Sequence, residues 1–350
     1  MTDTHPHHQL RVHHYNGTGR LVTQSGLGAA MRHQRHMLHH PGIRLVRLNE
    51  HPDVLVLNTV FPDSVIVGRW ARKQGIRVIQ FAHSTQQDFE NSWAGANHIA
   101  PLFGRWLGHV YAGGDAIITP TPYAKKLLTR YQLDAPIYPL TNGVDIDFFH
   151  GKPAAGKQFR ERHNIAPHTP LVVAVGHLMV RKGFTDWIDL ARRIPQAQFY
   201  WFGHTPRATM SKAVKRAIDT APPNVHLPGY VPAAEVRDAY AAANLFCFAS
   251  HEETEGIVVL EALASGTPTL VRDIPVYDSW LPENEIVHKA RNLEEFEHKA
   301  RVILAGEAPD LTQAARHRMQ EYSLDRVAQR FLAICAGTAP NPDTPSTRRR

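Results

Sequence analysis

"NLFCFASHEETEGIVVLEALASGTPTLVRD", residues 244–273, reads as strand, loop, helix, strand. "NLFCFAS" is apolar on both faces, as a strand inside a parallel sheet is. "IVVLEALA" is built of helix formers. Gly266 follows it, with Pro268 beyond, and that pair ends a helix. "TPTLVRD" is the next strand. A strand, a helix and a strand in this order make a βαβ unit. Three acids, Glu252, Glu253 and Glu255, fill the first loop, and Glu261 lies within the helix. In an open α/β sheet that loop is at the strands' C-terminal edge, where ligands bind. A helix start with Gly256 also offers free backbone N–H groups. One acid there would only complement the helix dipole. Three acids, and a fourth inside an apolar helix, ask for more, because a buried carboxylate without a partner is costly. Glu261 is therefore expected to meet hydroxyls or a cation.

The same rhythm runs along the chain. "LRVHHY", "IRLVRLN", "DVLVLNTV", "RVIQFAH", "DAIITP" and "APIYPLTNG" read as strands in the first half, with helices between them such as 27–38 and 123–131. "LVVAVG", "AQFYWFG" and "VHLPGYV" precede the opening stretch in the second half. At 350 residues the chain is long for one core and natural for two. "FHGKPAAGKQFRERHNIAPHTP", residues 149–170, is rich in Gly, Pro and charge and reads as a linker. The expected architecture is α/β, with two Rossmann-like doubly wound domains, 1–150 and 151–338, facing a central cleft. Residues 339–350 are expected to be a disordered tail, and so are about the first eight.

Composition narrows the function. No apolar run approaches the about 20 residues that span a bilayer. "MTDTHPHHQL" lacks the apolar core of a signal peptide. A cytoplasmic protein, soluble or peripheral to the membrane, is expected. Cys247 and Cys335 sit in apolar contexts, as buried free thiols of a reducing compartment do. The histidines form no convincing ligand set, so no metal is expected. Residues 1–150 hold 14 Lys and Arg against 10 Asp and Glu, whereas residues 151–347 hold 22 of each. The basic half can face nucleic acid, an anionic membrane or a phosphorylated ligand, or be a solvated surface with a mild bias.

Glu253 and Glu261, with seven residues between them within "EETEGIVVLEALASGTP", resemble the double-glutamate signature of retaining GT-B glycosyltransferases of family four. "HSTQQDFENSW" (83–93), "APLFGRW" (100–106), "IITPTPYAKKLL" (117–128), "TNGVDIDFF" (141–149), "RKGFTDW" (181–187), "FYWFGHTP" (199–206), "LPGYV" (227–231) and "VRDIPVYDSWL" (271–281) follow in order. Together they resemble the diacylglycerol and glycosyl-diacylglycerol glycosyltransferases of Gram-positive bacteria, over about residues 20–335. The resemblance implies a GT-B fold, with the nucleotide-sugar domain second and the last helix packing back on the first domain. It implies that Glu253 contacts the donor hexose, Glu261 the ribose hydroxyls, and the backbone of Gly256, Ile257 and Val258 the sugar. Glu255 stands where the common pattern has an aromatic.

Other site residues follow from sequence and resemblance together. Arg181 and Lys182 in "VGHLMVRKG" lie on a cationic loop between a strand and a helix, able to neutralise a diphosphate or simply to be surface charges. The resemblance gives them the diphosphate. His177 stands where many relatives carry Arg. Gly26 and Gly28 in "QSGLGAAMRHQ" start a helix, where a Gly-rich turn passes close to phosphate or is only a turn. The family uses this loop near diphosphate and acceptor. His83 ends the strand "RVIQFAH", and the matching histidine of the family contacts the donor sugar.

The expected activity is retaining transfer of a hexose from a nucleotide sugar, UDP-glucose or UDP-galactose, to diacylglycerol or monoglucosyl-diacylglycerol. Arg181 and Lys182 would stabilise the leaving phosphate. No cofactor, essential metal, nucleic acid or obligate protein partner is expected. One alternative is a family-four-like transferase for a soluble or polysaccharide acceptor. Another is a non-catalytic basic binding protein, which leaves Glu253 and Glu261 unexplained. A lipid acceptor requires attachment to an anionic membrane surface at the inner face of the cell membrane. "VIVGRWARKQGIR", residues 65–77, is the candidate, with Arg69, Arg72, Lys73 and Arg77 beside Val65, Ile66 and Trp70. "MRHQRHMLHH", residues 31–40, is a second basic stretch that gains charge as pH falls.

Overall fold

The computed structural model describes residues 9–17, 26–90, 92 and 95–342. Of the ends expected to be disordered, residues 1–8 and 343–350 lie outside them, whereas 339–342 are described and Ala339 packs against the core of the first unit. The chain divides into two compact units. One comprises Met1–Thr85, Pro101–Asn142 and Leu324–Arg350, the other Gln86–Ala100 and Gly143–Ser323.

The strands of the first unit are β1 (Leu10–Tyr15), β2 (Ile43–Leu45), β3 (Val54–Leu57), β4 (Arg77–Phe81), β5 (Ala116–Thr119) and β6 (Ile137–Pro139). They form one parallel sheet in the order β2-β1-β3-β4-β5-β6. The helices are α1 (Gly26–Met37), α2 (Pro62–Lys73), α3 (Gln86–Phe89), α4 (Ala96–Tyr111) and α5 (Pro122–Leu128). α3 and the start of α4 belong to the second unit. The central strands are buried on both faces, which is why β3 and β5 read as unbroken apolar runs. One face packs Val12, Val54, Val56, Ile79 and Ile118 against Met37 of α1 and against Val327, Phe331 and Ile334 of the last helix. The other face takes Ala71 of α2 and Leu107, Val110 and Tyr111 of α4.

The second unit begins with α6 (Ile146–Phe149) and α7 (Pro153–Arg162). Then come β7 (Leu171–Val175), α8 (Phe184–Arg193), β8 (Gln198–Phe202), α9 (Lys212–Asp219), β9 (Val225–Gly229), α10 (Ala233–Ala242) and β10 (Leu245–Phe248). The remainder is α11 (Ile257–Ser265), β11 (Thr269–Arg272), β12 (His288–Ala290), α12 (Leu293–Leu304) and α13 (Thr312–Met319), and the last helix, α14 (Leu324–Ala336), returns to the first unit. The sheet is again parallel, ordered β12-β11-β10-β7-β8-β9. Trp187, Phe199 and Trp201 stack edge-on within one layer of its core, at centroid distances of 5.1–5.3 Å. Gly266 ends α11 in the left-handed conformation, φ 75°, as Gly266 and Pro268 predict.

One reading needs correction. Residues 149–170 are not a linker: α7 runs through them and packs on α10. Phe159 is fully buried, with its ring edge-on to Tyr200 and Phe202. Arg160 donates to the carbonyls of Ala242, Ala166 and Thr169 and to Asn244. A single large apolar side chain in "PAAGKQFRER" gives almost no periodic signal, so charge and Gly dominated the reading.

Candidate active site

Each sheet changes direction once. In the second unit the switch lies between β7 and β10, because β8 and β9 build outward on one side and β10 and β11 on the other. Loops after the two switch strands face one crevice, the default ligand position of a doubly wound sheet. The loop after β7 carries Arg181 and Lys182, and the loop after β10 carries the three acids.

These loops meet through a buried ion pair. Lys182 Nζ lies 2.6 and 2.7 Å from the two carboxylate oxygens of Glu253. Ser250 donates to the same carboxylate at 2.7 Å. Burial alone would raise the Glu253 pKa, but the charges of Lys182 and Arg181 outweigh it and hold the carboxyl below its usual range. The carboxylate thus stays ionised. Gly183 sets the loop: it is left-handed, φ 73°, and a Cβ there would come within 2.0 Å of the Ala249 carbonyl oxygen. Only glycine lets the two loops approach this closely.

Arg181 is buried and turned the other way. It pairs with Asp88 at 2.7 Å, donates to the Glu252 carbonyl at 2.9 Å and to Ser92 Oγ at 3.1 Å. Asp88 and Ser92 belong to "HSTQQDFENSW", a motif from which only His83 was singled out. His177 Nδ1 donates to the His204 carbonyl at 2.8 Å, and burial lowers its pKa, so its ring stays neutral near pH 7.

α11 starts at Gly256, φ 89°, and no side chain caps it. The first N–H groups of a helix, here those of Ile257 and Val258, have no intrahelical partner. Glu261, one turn further on, accepts from Tyr240 Oη at 3.1 Å. The expected hydroxyl is thus supplied, in this structure, by a tyrosine of α10. That partner lies 21 residues upstream, beyond the reach of any local pattern. Burial and the Glu261 charge push the Tyr240 phenol well above its ordinary pKa, so it remains a donor.

The first unit has its own switch point, between β1 and β3. His83, just past β4, stacks on Phe81 with centroids 5.4 Å apart. Its Nε2 meets Gln34 Nε2 at 3.1 Å. Gln34 Oε1 meets His14 Nε2 at 3.2 Å, and Asn58 Nδ2 meets the same ring nitrogen at 2.7 Å. Desolvation lowers His83 and His14 to about 4 each, so both rings are neutral at pH 7. Neutral His83 accepts from the Gln34 amide at Nε2, which puts its proton on Nδ1. Gly26 opens α1 and Gly28 is buried in its first turn. Among the described residues no group of three or more His, Cys, Asp or Glu is placed to hold a metal ion.

Comparison with known proteins places this geometry. Residues 4–148 match the glycosyltransferase family 4 model and residues 156–326 the group 1 glycosyl transferases. A processive diacylglycerol alpha-glucosyltransferase of Acholeplasma laidlawii is 34% identical over 322 residues, covering 91% of this chain and 96% of that protein. An alpha-galactosylglucosyldiacylglycerol synthase of Streptococcus pneumoniae is 24% identical, covering 93% of this chain and 88% of its own. Among solved structures, Anabaena HepE in complex with UDP-glucose superposes with a TM-score of 0.73 at 14% identity, covering 94% of this chain and 99% of that one. A sucrose-phosphate synthase from Thermosynechococcus elongatus gives 0.72 at 18% identity, over 94% and 98%. The chain belongs to the GT-B glycosyltransferases, with a family 4 segment followed by a group 1 segment, and its relatives include diacylglycerol glycosyltransferases.

Proposed function

We propose that the protein transfers a hexose from UDP-hexose to diacylglycerol or a glycosyl-diacylglycerol, with retention at the anomeric carbon. The observation that carries this reading is the buried Lys182–Glu253 pair beside the uncapped start of α11. A carboxylate kept ionised in a dry site is an acceptor for sugar hydroxyls. The adjacent ammonium and the free N–H groups suit the diphosphate. Glu261 then serves the ribose. Donor binding would give Lys182 and Arg181 a phosphate in place of part of their present carboxylate contacts. The leaving phosphate is the natural base for the acceptor hydroxyl, so Glu253 positions the sugar and does not attack it. His83, neutral and held by Gln34, is proposed to hydrogen-bond a sugar hydroxyl, and Gly26 and Gly28 to leave room for a phosphate at the start of α1. Names of relatives such as the processive diacylglycerol alpha-glucosyltransferase support the lipid acceptor.

The lipid requires a docking surface. No described helix is long and apolar enough to cross a membrane. α2 presents Ile66 and Trp70 to solvent, 68% and 42% exposed, beside exposed Arg69, Arg72 and Lys73. Two residues drop out of the expected set. Val65 packs inward, and Arg77 opens β4 and reaches the Ile334 carbonyl. The test is incubation of purified protein with UDP-glucose and UDP-galactose, each with diacylglycerol or monoglucosyl-diacylglycerol in mixed micelles. The product's mass and anomeric configuration are then read. Lipid-dependent release of UDP with an α-linked product is expected. Release that needs only a soluble sugar acceptor would overturn the lipid reading.

A further inference from the structure

The segment "IPVYDSW", residues 274–280, is part of an ordered motif but holds none of the roles given above. It forms a short 3-10 turn, Pro275–Tyr277, just past β11. Tyr277 is fully buried, yet its hydroxyl has no hydrogen-bond partner. A buried polar group left unpaired costs about 1–3 kcal/mol, and native interiors keep few of them. The ring is held in place: Tyr277 N donates to the Ile274 carbonyl, and Trp280 packs edge-on at 5.8 Å.

The position of this hydroxyl is informative. A Cβ on Gly256 would lie 3.0 Å from it, so it stands over the left-handed turn that starts α11. Burial, and then the charges of Glu253 and Glu255, keep the phenol protonated, hence a donor. Those two buried carboxylates also decide what it can donate to. Beside them a neutral ligand rich in hydroxyls fits, because it can accept from Tyr277 while donating to Glu253.

We infer that Tyr277 is a specificity-determining residue of the donor site, donating a hydrogen bond to a hydroxyl of the transferred hexose. The inference rests on the reading that the start of α11 holds the donor. It is tested with Tyr277→Phe in the full chain, which keeps the ring and removes only the hydroxyl. Calorimetry without acceptor would compare UDP, UDP-glucose and UDP-galactose, and thermal melts would be run without ligand. Expected are unchanged UDP affinity, about tenfold weaker binding of at least one UDP-hexose, and a ligand-free Tm that is unchanged or raised. Equal affinity for all three ligands in variant and parent would overturn the inference. So would an equal loss for UDP and UDP-hexose, or a lowered Tm with binding intact, which would make the hydroxyl structural. A parent protein that binds neither UDP nor a UDP-hexose would instead remove the donor-site reading on which the inference stands.

Discussion

Glu253 is buried and Lys182 largely so, each because the other is present. Removing the ammonium alone strands a buried carboxylate, which costs about 3–5 kcal/mol. Lys182→Met should therefore lower stability strongly in urea unfolding, and adding Glu253→Gln should recover much of the loss. Neither variant should transfer sugar at a measurable rate, since recovery of the fold does not restore the charges. The histidines of the first unit make a separate, pH-dependent prediction. His14 and His83 have folded pKa values of about 4 against an ordinary 6.5. Their contribution is complete above pH 6.5. It is lost as pH falls from 6.5 towards 4, because the unfolded chain takes up protons that the folded rings exclude. Unfolding free energy should drop between pH 7.5 and 5, and His14→Gln should flatten that slope. At this scale the sequence was legible where chemistry was dense and local. Acids at a strand–helix junction announced Glu253 and Glu261. Asp88, Tyr240 and Gln34 gave no such signal, because each meets its partner across 21 to 93 residues of chain.

Elements were read well where they were long or apolar. Both sheets follow runs whose burial on two faces shows as uninterrupted hydrophobicity. β12 was missed because three residues, "HKA", contain no pattern. α7 was missed because Phe159 is its one large buried apolar side chain, and its other contacts run through Gly156, Arg160 and Arg162. Phe159→Ala should therefore cost about 3–5 kcal/mol, measured by denaturant unfolding, whereas a linker residue would cost almost nothing. Gly183 is the matching test for the loop before α8. Its absent Cβ faces a backbone carbonyl, not a flexible side chain, so the neighbour cannot yield cheaply. Gly183→Ala should destabilise by at least about 2 kcal/mol, and UDP affinity should fall with it because Lys182 is the preceding residue.

For the whole molecule, charge and exposed apolar side chains set the expected partner surface. Each cation near an anionic bilayer is worth about 1 kcal/mol. The α2 set should thus bind vesicles containing phosphatidylglycerol and release them as salt rises. Co-sedimentation of a variant carrying Arg69→Gln, Arg72→Gln and Lys73→Gln should fall at least tenfold, and Trp70→Ala should weaken binding that remains at high salt. Binding that ignores lipid charge would show that another surface makes the attachment. The two-domain organisation was visible in the repeated strand–helix rhythm. What fills one face of the first sheet came from the family resemblance and not from any local pattern, since α14 begins 185 residues past β6.

That last helix has a consequence for synthesis. Leu324, Val327, Phe331, Ile334 and Cys335 complete a core whose other members were translated near the start. A ribosome releases residues in order, so the opening sheet waits with one apolar face bare until the final helix emerges. Until then the nascent chain presents a sticky strip to chaperones and to its neighbours. A chain stopped at Ser323 should accumulate in inclusion bodies, and supplying residues 324–342 as a separate peptide should rescue solubility only if it is present during translation.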